Sequence, residues 1–257
     1  MTDSLTFGYD GSLLTDVTWS GAVAGSLAAT YDDDFRVTQT TVNGGSAVTF
    51  GYDEDGLRDQ AGALAIAREP GNGLIDSTTL GSVTTSRAYN GFGEFDEYAA
   101  QVSSSDVFRT TYTRDGVGRI TQIVETVQGT TRVLDYGYDL AGRLDEVMTD
   151  SVVTATYTYD ANGNRLQVAR PGGTETGTYD AQDRLLTYGT ASYSYTLAGE
   201  LAQKVDGPDS TSYAYDVLGN LTQVVLPAGT LVDYVVDGFG RRVGKKADGN
   251  LVQGLLY

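Results

Sequence analysis

One short pattern, an aromatic residue followed by Asp and a glycine-bearing turn, recurs along this 257-residue chain and leaves few folds open to it. Its clearest copy runs from Tyr157 to Val168. Alternating Thr and Tyr lead into Asp160, Ala161-Asn162-Gly163-Asn164 make the bend, and Arg165, Leu166 and Val168 lead out. Asp and Asn fold their side chains back onto nearby backbone, and Gly accepts the positive φ of a tight turn, so the stretch reads as a β-hairpin. Tyr157 and Tyr159, two residues apart, fall on one face of a strand. A lone hairpin is marginal in water, so its meaning lies in its copies.

Aligned on the Asp of the turn, the copies fall at Asp10, Asp32, Asp53, Asn90, Asp115, Asp139, Asp160, Asp180, Thr196, Asp216 and Asp237. The steps cluster near 20 residues except for the 37 (90 − 53) between Asp53 and Asn90. Inside that gap Leu64–Leu74 has the same strand, bend and strand shape, with Arg68-Glu69 standing where Tyr-Asp would be, which marks a degenerate repeat around 61–80. About twelve repeats then fill the chain.

A fixed period of this length signals an array in which neighbours complete each other's core. Each unit fits two antiparallel strands and their turns. With 33 Gly, only 4 Pro and no long 3.6-residue apolar period, the sequence predicts an all-β chain. About 24 strands at roughly 4.8 Å each would form a ribbon on the order of 115 Å. Twisted sheets of that size curl, split or close, so the expected form is a curled or spiralling antiparallel sheet, one segment over 1–257. The pairs Phe7/Tyr9, Phe50/Tyr52, Tyr136/Tyr138, Tyr157/Tyr159, Tyr193/Tyr195 and Tyr213/Tyr215 are expected to stack into aromatic ladders, with Thr and Ser on the opposite face.

The formal net charge of −17 argues against nucleic acid or anionic membrane as partners, and no run of 18 apolar residues exists for direct membrane insertion. Arg241, Arg242, Lys245 and Lys246 form one basic cluster, read as a solvated strand face. Without His or Cys, Ser-His-Asp, Cys-His and most zinc sites are excluded. Glu94, Asp96 and Glu97 are the remaining acid–base candidates, but adjacent Asp96 and Glu97 point to opposite faces of a strand, so no catalytic residue, cofactor or metal is assigned. Asp160, Asn162 and Asn164, Asp32-Asp33-Asp34, and Asp53 with Asp55 resemble pieces of calcium loops. Asp160 lacks a closing Glu, and turn chemistry accounts for these residues.

The motifs Tyr138, Asp139, Gly142, Arg143, Leu144; Tyr159, Asp160, Gly163, Arg165, Leu166; Tyr215, Asp216, Gly219, Leu221; and Asp237, Gly240, Arg241 resemble the YD repeat of RHS-repeat proteins. Tyr179, Asp180, Arg184 and Leu185 occupy the same places in a further copy. The family includes bacterial polymorphic toxins, the C components of ABC insecticidal toxins, and the animal teneurins. The resemblance implies a β-hairpin strip spiralling into a hollow shell that encloses a C-terminal toxic domain in the toxins and belongs to an adhesion receptor in the teneurins. The expected role is therefore a non-enzymatic shell segment of a secreted or cell-surface protein, cut from a longer chain. Its partners would be the rest of the shell, a C-terminal passenger and, through open sheet edges, other copies. The alternative is an adhesion module that binds carbohydrate or protein on its outer surface. The repeat arginines Arg143, Arg165, Arg184 and Arg241 are expected to pair with the Asp of their own or the next turn. Turn locking is expected to be weaker where Thr196, Glu69 and Asn90 replace Asp and where Glu94 and Glu200 replace Arg.

Overall fold

A computed structural model describes residues 4–256. Among the described residues twenty-five strands run from Ser4–Asp10 to Asn250–Gly254, with no helix. The paired strands are antiparallel neighbours in sequence. Contacts divide the chain into two compact units, 49–176 and the combination of 1–48 with 177–257.

Residues 49–176 form an uninterrupted meander of hairpins, in which each strand pairs with the ones before and after it. Turns of two kinds alternate. One is the five-residue Asp turn, as between Val152–Tyr159 and Arg165–Arg170. The other is a tight two-residue turn such as Ser103-Ser104 (φ 49° and 65°) or Asp150-Ser151 (φ 50° and 67°). Asp150 extends the ladder past its last strand pair, because its N–H donates to the Val133 carbonyl and its Oδ1 accepts from the Val133 N–H at 2.8 Å. Without that side chain the Val133 N–H would have no partner at the strand end.

Each Asp turn in this unit is flanked by a register shift. Thr158 faces Gln167 and Tyr159 faces Arg165, which leaves Leu166 as an extra residue on the outgoing strand. Gly137/Tyr138 and Thr113/Arg114 show the same bulge. A bulge bends its strand and increases the local twist. The aromatic pairs consequently meet other partners than expected. Tyr136 faces Val147 and Tyr157 faces Val168, the most deeply buried large side chain. Phe50 faces Ala61 and Tyr193 faces Lys204, so the expected aromatic ladder is replaced by aromatic residues set against aliphatic or lysine partners, with several rings stacking on arginine as described below.

The second unit joins the two ends of the chain. Val17 and Trp19 of Leu13–Ser20 are buried against Val243 of Arg242–Ala247, with Leu5, Leu27, Val235 and Leu256 packed around them. Tyr213 faces Val224 here, repeating the aromatic-on-valine pairing. Phe7 meets Phe239 edge-on at 5.7 Å. Close approach is set by glycine. A Cβ on Gly244 would lie 2.7 Å from Val23 Cγ2, and one on Gly25 would lie 2.5 Å from Leu256 Cδ1.

Candidate functional site: the Asp turn and its tyrosine neighbour

The Asp of each turn closes the loop with its backbone and then fills it with its side chain. Asp139 donates its N–H to the Arg143 carbonyl at 2.9 Å, and its carbonyl accepts from Gly142 N–H at 2.9 Å. Its Oδ1 accepts from the N–H groups of Ala141 and Arg143, both at 2.9 Å. The Oδ2 receives Arg143 Nε at 2.8 Å and Nη2 at 2.7 Å. Asp115, Asp180 and Asp237 repeat this with Arg119, Arg184 and Arg241, and Asp32 pairs with Arg36 through Nε at 2.8 Å. A carboxylate holding two N–H groups and a guanidinium fork satisfies donors that the bend would otherwise leave open. The third residue after Asp takes a left-handed φ, which Gly supplies at Gly142 (81°) and Gly163 (94°) and which Asp183 supplies at 60° in the Asp180 turn.

The arginine couples this turn to the next. Its guanidinium carbon lies over the tyrosine ring of the following repeat: Arg119 over Tyr138 at 4.5 Å, Arg143 over Tyr159 at 4.7 Å, Arg184 over Tyr195 at 5.1 Å. Each of those hydroxyls reaches past the arginine to donate to the carbonyl of the residue after it, at Ile120 (2.6 Å), Leu144 (2.7 Å) and Leu185 (2.8 Å). Arg143 Nη1 also donates to the Asp160 carbonyl at 2.8 Å. Tyr and Asp thus belong to different locks, Asp to its own turn and Tyr to the one before.

This geometry decides between the two pairings open for the arginines: the ion pair lies within one turn. Arg165 does not join it, because it stands five residues after Asp160 instead of four. Asn164 holds the fourth place, donating Nδ2 to Asp160 Oδ2 at 2.9 Å, and Asn220 does the same for Asp216. Leu221, like Leu144 and Leu185, follows the fourth place and sits opposite the tyrosine, while Leu166 is displaced into the bulge. Gly163, Gly219 and Gly240 hold the left-handed corner, and Tyr179 faces Leu185 in register.

Replacement of Asp and Arg does not simply weaken the lock. Where Glu94 and Glu200 stand in the arginine's place, Asn90 and Thr196 stand in the aspartate's, and the donor and acceptor exchange sides. Asn90 Nδ2 donates to Glu94 Oε2 at 2.8 Å, and Thr196 Oγ1 donates to Glu200 Oε2. The backbone closure N–H of Asn90 to the Glu94 carbonyl persists at 2.9 Å. Glu69 differs in another way, since its N–H closes on Leu74, five residues on, and Arg68 braces the longer loop by donating to the Gly73 carbonyl. Asp10 is not an Asp turn at all. It faces Leu13 across the two residues Gly11-Ser12.

The other candidates are dispersed among neighbours. Glu97 pairs with Arg109 at 2.5 Å, Glu94 belongs to its turn, and Asp96 lies in a register shift between Phe95 and Glu97. Among the described residues no three His, Cys, Asp or Glu gather as a metal site, and Asp34 is taken by Arg36 at 3.1 Å. The basic cluster divides, with Arg241 in its turn and Arg242 over the Tyr234 ring at 3.7 Å.

The electrostatics follow the bonds. The Arg143 N–H and then its guanidinium hold the Asp139 carboxyl below the usual carboxylate range, and the Asn164 side chain does the same for Asp160. Burial pushes the Tyr159 and Tyr195 hydroxyls above the usual phenol range. The tight turns at Ser103-Ser104 and Asp150-Ser151 escaped the sequence reading because neither carries the Gly or Asn that marks positive φ. The tyrosine-to-carbonyl bond had a legible signal, the constant Tyr one repeat after each Arg-Leu or Arg-Ile.

The profile of the Teneurin YD-shell family matches residues 2–257. The chain belongs to this family. It is similar to mouse teneurin-3, 28% identical over 238 residues that cover 88% of this chain and 8% of the relative, and to zebrafish teneurin-3, 27% identical over 237 residues with the same coverage. It therefore spans less than a tenth of the length of these relatives. Among solved structures, TcdB2-TccC3 without its hypervariable C-terminal region superposes with a TM-score of 0.67 at 14% identity, over 96% of this chain and 16% of that one. The Tc holotoxin pore of Photorhabdus luminescens gives 0.63 at 15% identity, over 91% and 15%. These likenesses establish the YD-shell fold, and the recurring Asp turn with its tyrosine neighbour is the local chemistry from which this copy of it is built.

Proposed function

We propose that this chain is one segment of a larger, secreted or surface-exposed YD-repeat shell whose role is mechanical: a wall that encloses a C-terminal passenger polypeptide. The observation that carries the reading is the coupled lock, in which Arg119, Arg143 and Arg184 each hold the Asp of their own turn and stack on the tyrosine of the next. An array joined repeat to repeat in this way suits a continuous barrier better than a cleft, and the acid–base candidates Glu94 and Glu97 are engaged in structural pairs. The role as a single shell piece of a longer chain is supported by the small share of its relatives that it spans.

The test uses the full-length protein. Protease added under native conditions should leave the passenger intact while cutting exposed linkers, and a passenger degraded as fast as the same domain expressed alone would remove the container reading. The identity to teneurins, about twice that to the toxin structures, favours a second reading as an adhesion module. Saturable binding of the intact protein to a carbohydrate or protein ligand, with an unprotected C-terminus, is the result that supports it.

A further inference from the structure

From Val83–Tyr89 to Arg165–Arg170 the meander puts the turns at Asn90, Asp115, Asp139 and Asp160 on one rim of the sheet and the two-residue turns on the other. The rims differ in chemistry. The two-residue turns are Ser103-Ser104, Gln128-Gly129 and Asp150-Ser151, whereas three consecutive tips on the other rim carry no polar side chain: Gly91-Phe92-Gly93, Gly116-Val117-Gly118 and Leu140-Ala141-Gly142. Phe92 is 92% exposed, Val117 is 77% exposed and Leu140 is fully exposed. Turn tips in water ordinarily carry Asn, Asp, Ser or Gly, and a run of exposed apolar side chains marks an interaction surface. We infer that this rim docks a second copy of the chain, antiparallel about a two-fold axis at Val117, so that Phe92 of each copy lies beside Leu140 of the other.

Spacing and charge select a copy as the partner. Neighbouring tips are two strands apart, roughly 10 Å, and each holds one large side chain beside glycine or alanine. A Cβ on Gly91 or Gly116 would meet no atom within 4 Å, and neither residue has a left-handed φ. Nothing inside the chain requires glycine there, and Leu140 and Ala161 fill the same place in their own turns. The glycines leave hollows between the knobs, and a row of knobs and hollows is matched by another row of the same period. Two identical rims related by a two-fold axis supply that match. Each copy carries a net charge of −17, so copies repel except where the facing side chains are uncharged, and Asn72 and Asn162 bound this run on either side. Residues 177–257 hold a less regular run. There Phe239 is held edge-on by Phe7, and the Val217-Leu218 tip has two large side chains and no hollow between them.

Sedimentation equilibrium of the 257-residue protein at neutral pH reads the contact. Three side chains from each copy make a small interface, so a monomer–dimer equilibrium with a dissociation constant on the order of 10–100 µM is expected. Raising sodium chloride from about 20 mM to about 500 mM should tighten it severalfold, because salt screens the repulsion between copies and leaves the apolar contact in place. Val117→Asp sets two carboxylates against each other at the axis and should abolish the dimer, while Leu197→Ser with Leu218→Ser should leave it unchanged. The chain has no cysteine, so Val117→Cys treated with diamide should give a disulfide-linked dimer, and Ser104→Cys on the opposite rim should not. A monomer at every concentration and salt, a dimer that salt loosens, or a dimer that Val117→Asp leaves intact would each overturn the proposal. So would a dimer lost in the Leu197→Ser, Leu218→Ser variant, or cross-linking of Val117→Cys no faster than that of Ser104→Cys. A chain that stays monomeric and instead floats with phosphatidylcholine vesicles would assign the rim to a lipid surface. The salt series needs no variant, so a misfolded substitution would leave the test decided.

Discussion

The guanidinium carbon of Arg143 lies 4.7 Å from the centre of the Tyr159 ring, and the Tyr159 hydroxyl donates at 2.7 Å to the carbonyl of Leu144, the residue that follows that arginine. One side chain therefore senses both the charge and the backbone position of the preceding turn. The ring covers the arginine's flat face, and the hydroxyl fixes where the outgoing strand begins.

The two contributions separate on substitution. Tyr159→Phe keeps the ring under Arg143 and removes the bond to Leu144, and is expected to cost about 1 kcal/mol. Tyr159→Ala removes both and should cost about 2–3 kcal/mol. Urea unfolding midpoints measure each. A double-mutant cycle with Arg143→Ala should show a coupling of about 0.5–1 kcal/mol, and additive effects would mean that the stack contributes nothing.

The exchanged pair Thr196 and Glu200 supports a reciprocal experiment. Thr196→Asp alone sets a second carboxylate against Glu200 and should destabilise by about 1 kcal/mol. Combined with Glu200→Arg it recreates the Asp139–Arg143 arrangement, and Tyr215 of the next repeat stands where the new guanidinium would stack. The double variant is expected to regain wild-type stability and exceed it by about 0.5 kcal/mol, read as a higher midpoint in the same urea titration.

How legible this was depends on the range of the interaction. The hairpin at Asp160, the all-β class and the bend at Glu69 all follow from residues within one turn of each other. Tyr157 and Tyr159 were correctly placed on one strand, but their partners were not, because the bulge that shifts Leu166 out of register arises from backbone closure between Asp160 and Asn164. Arg165 shows the limit most clearly. A one-residue offset is invisible in a motif alignment, and it decides whether a side chain reaches the carboxylate. Asn90 with Glu94 was visible as two departures but not as one compensated pair, since complementarity four residues apart has meaning only once both side chains are known to point into the same loop. The meeting of Trp19 with Val243 could not be read at all, because nothing local links residues so far apart in sequence.

Acid and base should weaken the fold by separate routes. The Asp139, Asp160 and Asp180 carboxyls are held below their ordinary range in the folded chain, by the Arg143 N–H, the Asn164 side chain and the Arg184 N–H respectively. A depressed carboxyl gives stability that is present above the unfolded value near 4 and lost as pH falls through the folded value. Tyr159 and Tyr195 are raised by burial, so the stability they give is complete below the phenol's unfolded value near 10 and is lost as pH rises through the folded one. Thermal unfolding followed by circular dichroism should show a plateau between about pH 5 and 9 that falls away on both sides. Asp180→Asn should flatten the acid limb, and an unchanged acid limb would show that these turns do not control it.

The packing of the chain's two ends rests on an absent side chain. Gly244 pairs with Val235 inside the strand Arg242–Ala247, in the part of a sheet where alanine is ordinarily the better residue. Its backbone has no left-handed φ to protect, so the only objection to a Cβ is space: Val23 Cγ2 at 2.7 Å and Val235 Cβ at 3.2 Å. Gly244→Ala is therefore expected to destabilise by about 1–3 kcal/mol through overpacking, and to raise the exposure of Trp19, whose fluorescence should shift to longer wavelength. Val23→Ala removes the nearer obstacle. If that contact is what resists the added methyl, Val23→Ala with Gly244→Ala should recover most of the loss and return the Trp19 emission toward its original position. A Gly244→Ala protein as stable as the wild type would mean that Val23 can give way without cost, and that the packing of Val17 and Trp19 on Val243 contributes little to holding the ends of the chain together.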